Sequence, residues 1–353
     1  MISKIKSTKA AILFAQRKPL QIKRITFPER LLYGQVLIKI FFSGVCGSQL
    51  GEIDGVKGVD KYLPHLLGHE AVGIVIDTGP GVKKVKRDDN VLMHWMPGSG
   101  ISSKGAKFKL KNKTINSGPI TTFSEYSIIS ENRLTKINDN LKVKKEILLL
   151  GCTTSTAIGA IKKLANFKKG QISAVSGCGA IGLTIIKTLK YLGAKNIVAI
   201  DIDSKKLNLA KKFGANLAIN AKNSNFLDLI KKKYPNKIDQ FFECTGNTDV
   251  ISRGFECLNQ KGNEILIGVP VFNQKAKFYT LDINLGKNLI GCKGGNFLPD
   301  EDIVDYLKIM KNKKFNIKPL MTNEVNLNDI NDVFSDMRKQ KVLGKCIINL
   351  TQG

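Results

Sequence analysis

Residues 172–201 read ISAVSGCGAIGLTIIKTLKYLGAKNIVAID, and they decide the fold. ISAVS is a short strand-type run, and Gly177-Cys178-Gly179-Ala180-Ile181-Gly182 is a G-x-G-x-x-G loop. LTIIKTLKYLG has apolar residues at helical spacing, and NIVAID is a second strand ending on an acid. The glycine pattern by itself is weak; between a strand and a helix it is a dinucleotide fingerprint. Gly177 permits a tight turn, Gly179 lets backbone approach a pyrophosphate, and Gly182 allows close helix–strand packing. Ala180 and Ile181 open a helix whose free N–H groups and positive dipole end suit phosphates. Asp201, 19 residues beyond Gly182, can accept hydrogen bonds from the adenosine ribose and repel a 2′-phosphate, so NAD is expected over NADP. Lys205 and Lys206 could soften that repulsion. Asp203 is the weaker choice of acid, because Asp201 directly ends the apolar strand.

Outward from this unit the chain changes character. Downstream, helices (204–215, 226–234, 249–259) alternate with strand-type runs (217–220, 239–246, 264–270), which predicts βαβ units and a parallel sheet. Two further helices, 301–312 and 327–340, precede a last strand, 345–350. Upstream, the first 150 residues read as strands and turns: KAAILFA, QVLIKIFFSGV, EAVGIVID, NVLMHW and FSEYSII are cut by Gly, Pro, Asp and Asn. A length of 353 residues suggests about two domains.

Composition is that of an ordinary globular chain, 42% apolar and 24% charged, except for a net charge of +27. Of the 56 basic residues 49 are Lys, scattered from end to end. Nucleic-acid readers favour the bidentate fork of Arg, so the charge reads as biased composition and no nucleic-acid partner is expected. Seven cysteines, an odd number and widely spaced, argue against a secreted disulfide framework. The apolar run Ala10–Ala15 is too short for a signal core, and no stretch approaches the ~20 apolar residues of a membrane span. A cytoplasmic location without membrane partners is expected.

His65 and His69 stand four apart, the spacing of two imidazoles on one helical face in H-E-x-x-H zinc enzymes. Pro64 and Gly68 oppose a helix there, and 71–77 has a strand pattern, so the spacing loses that meaning. Three candidates for metal ligation stand out: Cys46 at a strand end, His69 in LLGHE, and Cys152 just ahead of the nucleotide-binding unit. A thiolate-rich set of three that leaves one position open is the pattern of catalytic zinc.

From KAAILF through GVCGS, GHEAVGIV, TTFSEYSII, GCTTST, GCGAIG and LIGVP to GKCIINL, the whole chain resembles the zinc-dependent medium-chain alcohol dehydrogenases. The resemblance implies an α/β fold: a GroES-like β-rich catalytic domain (1–151) and a Rossmann doubly wound parallel sheet (152–290). A C-terminal segment (291–353) would return to the catalytic domain. It implies Cys46, His69 and Cys152 as zinc ligands, Glu70 behind them as an intermittent or alternative third ligand, and Ser48 as the hydroxyl that takes the substrate proton. Thr156, Val269 and Lys206 would line the nicotinamide and adenine ribose, and Lys345 would help to hold the pyrophosphate. The implied activity is hydride transfer between NAD and an alcohol or its aldehyde or ketone. Relatives pair through the edge strand of the Rossmann sheet, so a homodimer or homotetramer is expected.

The sequence also departs from the family. Gln49 stands where an Asp usually supports the ligand histidine, and Gly51 where some members carry a relay histidine. LMHWMPGSGISSKGAKFKLKNKTINSG lacks the four cysteines of the structural-zinc lobe, so one catalytic zinc per chain and no structural zinc is expected. His94 and Trp95 in that stretch read as structural rather than as substrate contacts. The positive charge and the missing lobe tilt the substrate towards a polar alcohol, polyol or sugar derivative. A zinc-free quinone or enoyl reductase on the same fold, a basic nucleic-acid-binding relative and a non-catalytic relative remain as alternatives.

Overall fold

The computed structural model describes residues 5–137 and 144–351. The chain divides into two compact units: Met1–Cys152 with Leu298–Leu307 and Met321–Gly353, and Thr153–Phe297 with Lys308–Leu320.

The second unit is a six-stranded parallel sheet in the order 217–220, 196–201, 172–176, 238–243, 258–266, 288–291. Helices Ala180–Tyr191, Ser204–Phe213, Phe226–Lys233 and Thr248–Glu256 connect its strands. The central strands are apolar almost throughout because both faces of a parallel sheet are covered. In helix Ala180–Tyr191 the residues at helical spacing, Leu183, Ile185, Ile186 and Leu189, are all buried. The doubly wound sheet expected from the strand–helix alternation is therefore present.

The first unit is β-rich. The long strand Gln35–Gly44 is its backbone, pairing antiparallel with Ala71–Thr78, Tyr126–Ser130 and Lys345–Asn349. Beside this sheet, Ser7–Leu13, Gln21–Thr26, Lys107–Leu110, Lys113–Asn116 and His65–Leu66 form a closed barrel. A core of Val36, Ile38, Ile40, Val75, Val91, Ile129 and Ile348 lies inside the unit.

Three features differ from expectation. The stretch without the four-cysteine lobe contains the hairpin 107–116, whose strands complete the barrel. The strand ending just before Cys46 is present, but an unexpected helix, Gly47–Asp54, follows it and stops at Gly55 with φ 70°. The return to the first unit begins at Leu298 rather than 291, and Lys308–Leu320 belongs to the second unit. There the Phe315 ring packs edge-on against Tyr191 at 5.6 Å, and Asn312 donates to the Tyr191 hydroxyl at 3.3 Å.

Candidate functional site

Strand Gln35–Gly44 delivers the chain to Cys46, which starts helix Gly47–Asp54. His65 lies in a two-residue strand, and Gly68 turns with φ 96°, so the two histidines share no helix. His65 is instead tied to Asp60 at 2.7 Å through Nε2 and to the Leu66 carbonyl at 2.8 Å through Nδ1. Gly68 presents His69 and Glu70 at the start of strand Ala71–Thr78. Cys152 follows a short 3₁₀ stretch, Lys145–Gly151, whose last carbonyl accepts the Trp95 backbone N–H at 3.2 Å.

These elements bring one ligand atom from each of Cys46, His69, Glu70 and Cys152 within 4.8 Å of one another. The Gln49 side-chain nitrogen faces His69 Nδ1, which leaves His69 Nε2 buried with no hydrogen-bond partner. Cys46 is held well below the ordinary thiol range, first by the Cys152 thiol donating to it and then, against burial, by Lys345 and His69. Cys152 is raised well above that range by the same bond and by burial. A thiolate, a second thiol, an orphaned imidazole nitrogen and a carboxylate form a donor set suited to zinc. The fit rests on chemistry as well as distance, because two sulfurs and a buried imidazole nitrogen converge with no partner for that nitrogen outside the cluster.

Lys345, expected at the pyrophosphate, lies elsewhere. It is buried at the start of strand Lys345–Asn349, and its ammonium donates to Glu70 Oε1. Burial opposes its charge, but Glu70 and the two cysteines more than offset this and raise its pKa. A side chain sealed in this way is committed to the cysteine–histidine cluster and has no free ammonium to offer a phosphate. Ser48 Oγ, one residue into the helix, is buried without a hydrogen-bond partner among the described residues. His94 is a core residue: its ring contacts the Met96 carbonyl at 2.7 Å and Thr135 Oγ1 at 3.1 Å, and burial lowers its pKa to about 4.

In the second unit the glycine loop has the geometry its tasks require. Gly177 adopts φ 84°, and a Cβ on Gly182 would come within 1.9 Å of the Gly177 carbonyl oxygen, so a side chain is excluded there. A Cβ on Gly179 would meet nothing within 4 Å, leaving open space in front of the first turn of helix Ala180–Tyr191. Ala180 and Ile181 form that turn. Asp201 ends its strand and accepts from the Cys178 N–H at 2.6 Å and the Asp203 N–H at 2.9 Å, which ties the acid to the glycine loop. Thr156 is buried in helix Thr153–Gly159, Lys206 is half-buried in helix Ser204–Phe213, and Val269 is 58% exposed after the strand Leu258–Leu266.

The comparisons with known proteins agree with both halves. The family model described as "Alcohol dehydrogenase GroES-like domain" matches residues 33–139, and "Zinc-binding dehydrogenase" matches 180–312. An alcohol dehydrogenase of Malus domestica is 30% identical over 375 residues, covering 98% of this chain and 97% of that one. The chain belongs to the zinc-type medium-chain dehydrogenase family. Among solved structures, 2R,3R-butanediol dehydrogenase from Bacillus subtilis superposes on this family member with a TM-score of 0.79 at 26% identity, covering 97% of this chain and 99% of that one. An alcohol dehydrogenase zinc-binding domain protein from Burkholderia ambifaria gives 0.87 at 25% identity, covering 97% and 98%.

Two features of this dehydrogenase were not found from the sequence. One is the Lys345–Glu70 pair, for which the available signal was a lysine heading an otherwise apolar strand. The other is a pair of fully buried carboxylates, Glu243 and Glu264, on neighbouring strands of the parallel sheet.

Proposed function

We propose that this member of the alcohol dehydrogenase-type oxidoreductases transfers a hydride between NAD and an alcohol, or the matching aldehyde or ketone, with one zinc held by Cys46, His69 and Cys152. The observation that carries the reading is the meeting of these three residues, with His69 Nε2 buried and bonded to no group outside the cluster. Zinc bound there would act as a Lewis acid on the substrate oxygen and lower the pKa of its hydroxyl.

The remaining tasks fall to the chain. Ser48, its hydroxyl unpartnered, takes the substrate proton. Glu70 stays behind the ligands as an intermittent or alternative ligand, held by Lys345. The open face at Gly179 admits the pyrophosphate to the N–H groups at the start of helix Ala180–Tyr191. Asp201, fixed by two backbone N–H groups, accepts the adenosine ribose hydroxyls, with Lys206 beside them; Thr156 and Val269 line the nicotinamide side. Positioning of the cofactor, rather than a side-chain nucleophile, supplies the reactive geometry.

The substrate proposed is a polar alcohol, polyol or sugar derivative, a choice supported by the net charge of +27 and by the likeness to a butanediol dehydrogenase. A homodimer or homotetramer is supported by exposed Val271, Phe272, Leu281, Ile283 and Leu285, which precede the edge strand Asn288–Gly291. A cytoplasmic location is supported by seven free cysteines. The test is zinc quantification together with NADH formation over a panel of alcohols and polyols. One zinc per chain and NAD-dependent oxidation, both lost in His69→Ala, are expected. Full activity in a zinc-free preparation would refute the reading.

A further inference from the structure

His69 can bind a metal through Nε2 only when its ring proton sits on Nδ1, and Nδ1–H then needs an acceptor. The group within reach is Gln49, which is buried. Its Oε1 accepts the Cys46 backbone N–H at 3.1 Å, and its Nε2 faces His69 Nδ1. A side-chain amide has acceptor capacity at one end only and donors at the other. With the oxygen on Cys46, Gln49 offers His69 a donor, so Nδ1 accepts and the ring carries its proton on Nε2, the atom a metal needs, where the Cys46 sulfur faces it. With the amide turned over, Oε1 accepts from Nδ1–H, but the amide N–H groups then confront the Cys46 N–H. The first setting suits the metal-free ring but blocks Nε2, and the second frees Nε2 but sets donor against donor at Cys46. A carboxylate would serve both donors with separate oxygens.

We propose that Gln49 is a two-setting positioning residue: it holds His69 in the Nε2–H tautomer in the metal-free chain and turns over when the metal binds. The ring exchange is proton-neutral, since Nε2 gives up the hydrogen that Nδ1 gains. The consequence is a site that binds zinc more weakly than the same site with a carboxylate at position 49. The inference rests on the reading of His69 as a zinc ligand.

Two measurements test it, neither of them turnover. Zinc affinity is read by competition with a chromophoric chelator on the full-length wild type, Gln49→Glu and His69→Ala. Supporting groups of this kind shift metal affinity about 10- to 100-fold, so Gln49→Glu should bind zinc tighter by that factor. Two-bond ¹H–¹⁵N correlation of the histidine rings in the metal-free wild type, with His69 assigned by comparison with His69→Ala, should show the Nε2–H tautomer. Equal zinc affinity in wild type and Gln49→Glu, or an Nδ1–H tautomer in the metal-free wild type, would overturn the proposal. Should Gln49→Glu fail to fold, the wild-type tautomer decides the matter. Zinc binding undiminished in His69→Ala would instead overturn the ligand assignment, and the proposal with it.

Discussion

Replacing Glu264 with Gln should stabilise the protein at neutral pH and leave its stability unchanged in acid. Glu264 is fully buried, a Cβ on Gly254 would approach its Oε1 to 2.8 Å, and neither of its oxygens has a hydrogen-bond partner among the described residues. Its neighbour Glu243 accepts from the Thr245 N–H at 2.6 Å, the Gly246 N–H at 3.0 Å and the Thr245 hydroxyl. Burial raises Glu243 as well, but these donors oppose the rise and Glu264 has none, so Glu243 is the member better equipped to carry charge and Glu264 the member kept neutral. Burial first, and the Glu243 charge second, raise Glu264 from the ordinary 4.5 to about 9. The sign follows directly. Below 4.5 both folded and unfolded chains hold the proton and the stability is fully present; between 4.5 and about 9 only the unfolded chain ionises, so stability falls as pH rises. At about 1.36 kcal/mol per pH unit the loss reaches about 3 kcal/mol at pH 7. The amide of the Glu264→Gln variant keeps the shape without ionising. Urea unfolding should therefore find the variant about 3 kcal/mol more stable than wild type at about pH 7 and indistinguishable near pH 4.5. Equal stability at both pH values would refute the assignment of a neutral Glu264.

Two further expectations concern the proposed sites. Asp201→Asn removes the charge that repels a 2′-phosphate while keeping an acceptor for the Cys178 N–H, so the kcat/KM preference for NAD over NADP should shrink at least about tenfold. An unchanged ratio would remove Asp201 from the ribose site. Lys345→Met strips the buried Glu70 of its ammonium and should cost about 3–5 kcal/mol at about pH 8, as when one partner of a buried pair is deleted. The double change Lys345→Met with Glu70→Gln should recover most of that loss, and failure to recover would show that Lys345 acts through other groups.

What the sequence made legible was local. The G-x-G-x-x-G loop, its flanking strands and Asp201 lie within 30 consecutive residues, where periodicity and spacing carry information. Cys46, His69 and Cys152 could be named through resemblance, and the chain folds them together although 106 residues separate the first from the last. The partner of Glu70 was beyond reach, because Lys345 lies 275 residues away and no local pattern marks a lysine as buried. The hairpin 107–116 was missed because its alternation, KFKL and KTIN, is diluted by lysines on the exposed face. Helix Gly47–Asp54 was missed for a different reason. Its eight residues include two glycines and few apolar positions, and its start is fixed by Gln49 accepting from the Cys46 N–H rather than by a Ser, Thr or Asp at the cap.

The two departures beside the candidate ligands become one statement when the charge around the site is added up. With zinc held as proposed, Cys46 and Cys152 would be thiolates, and Glu70, raised by burial but opposed by the Lys345 ammonium, would be a carboxylate: three negative charges in a cluster whose ligand atoms lie within 4.8 Å. A zinc ion and the buried Lys345 ammonium supply three positive charges. Neutral His69 and neutral Gln49 add nothing, so the cluster closes at zero. An acid at position 49 would leave one negative charge over, in a place where an uncompensated charge costs several kcal/mol. The lysine that answers Glu70 and the amide that answers His69 are thus complementary: with Lys345 committed to Glu70, a carboxylate at 49 would have no cation of its own. Gln49 therefore trades affinity for zinc against neutrality of the buried site, and the cost of Gln49→Glu should appear as lower stability of the zinc-bound protein even where zinc itself binds tighter.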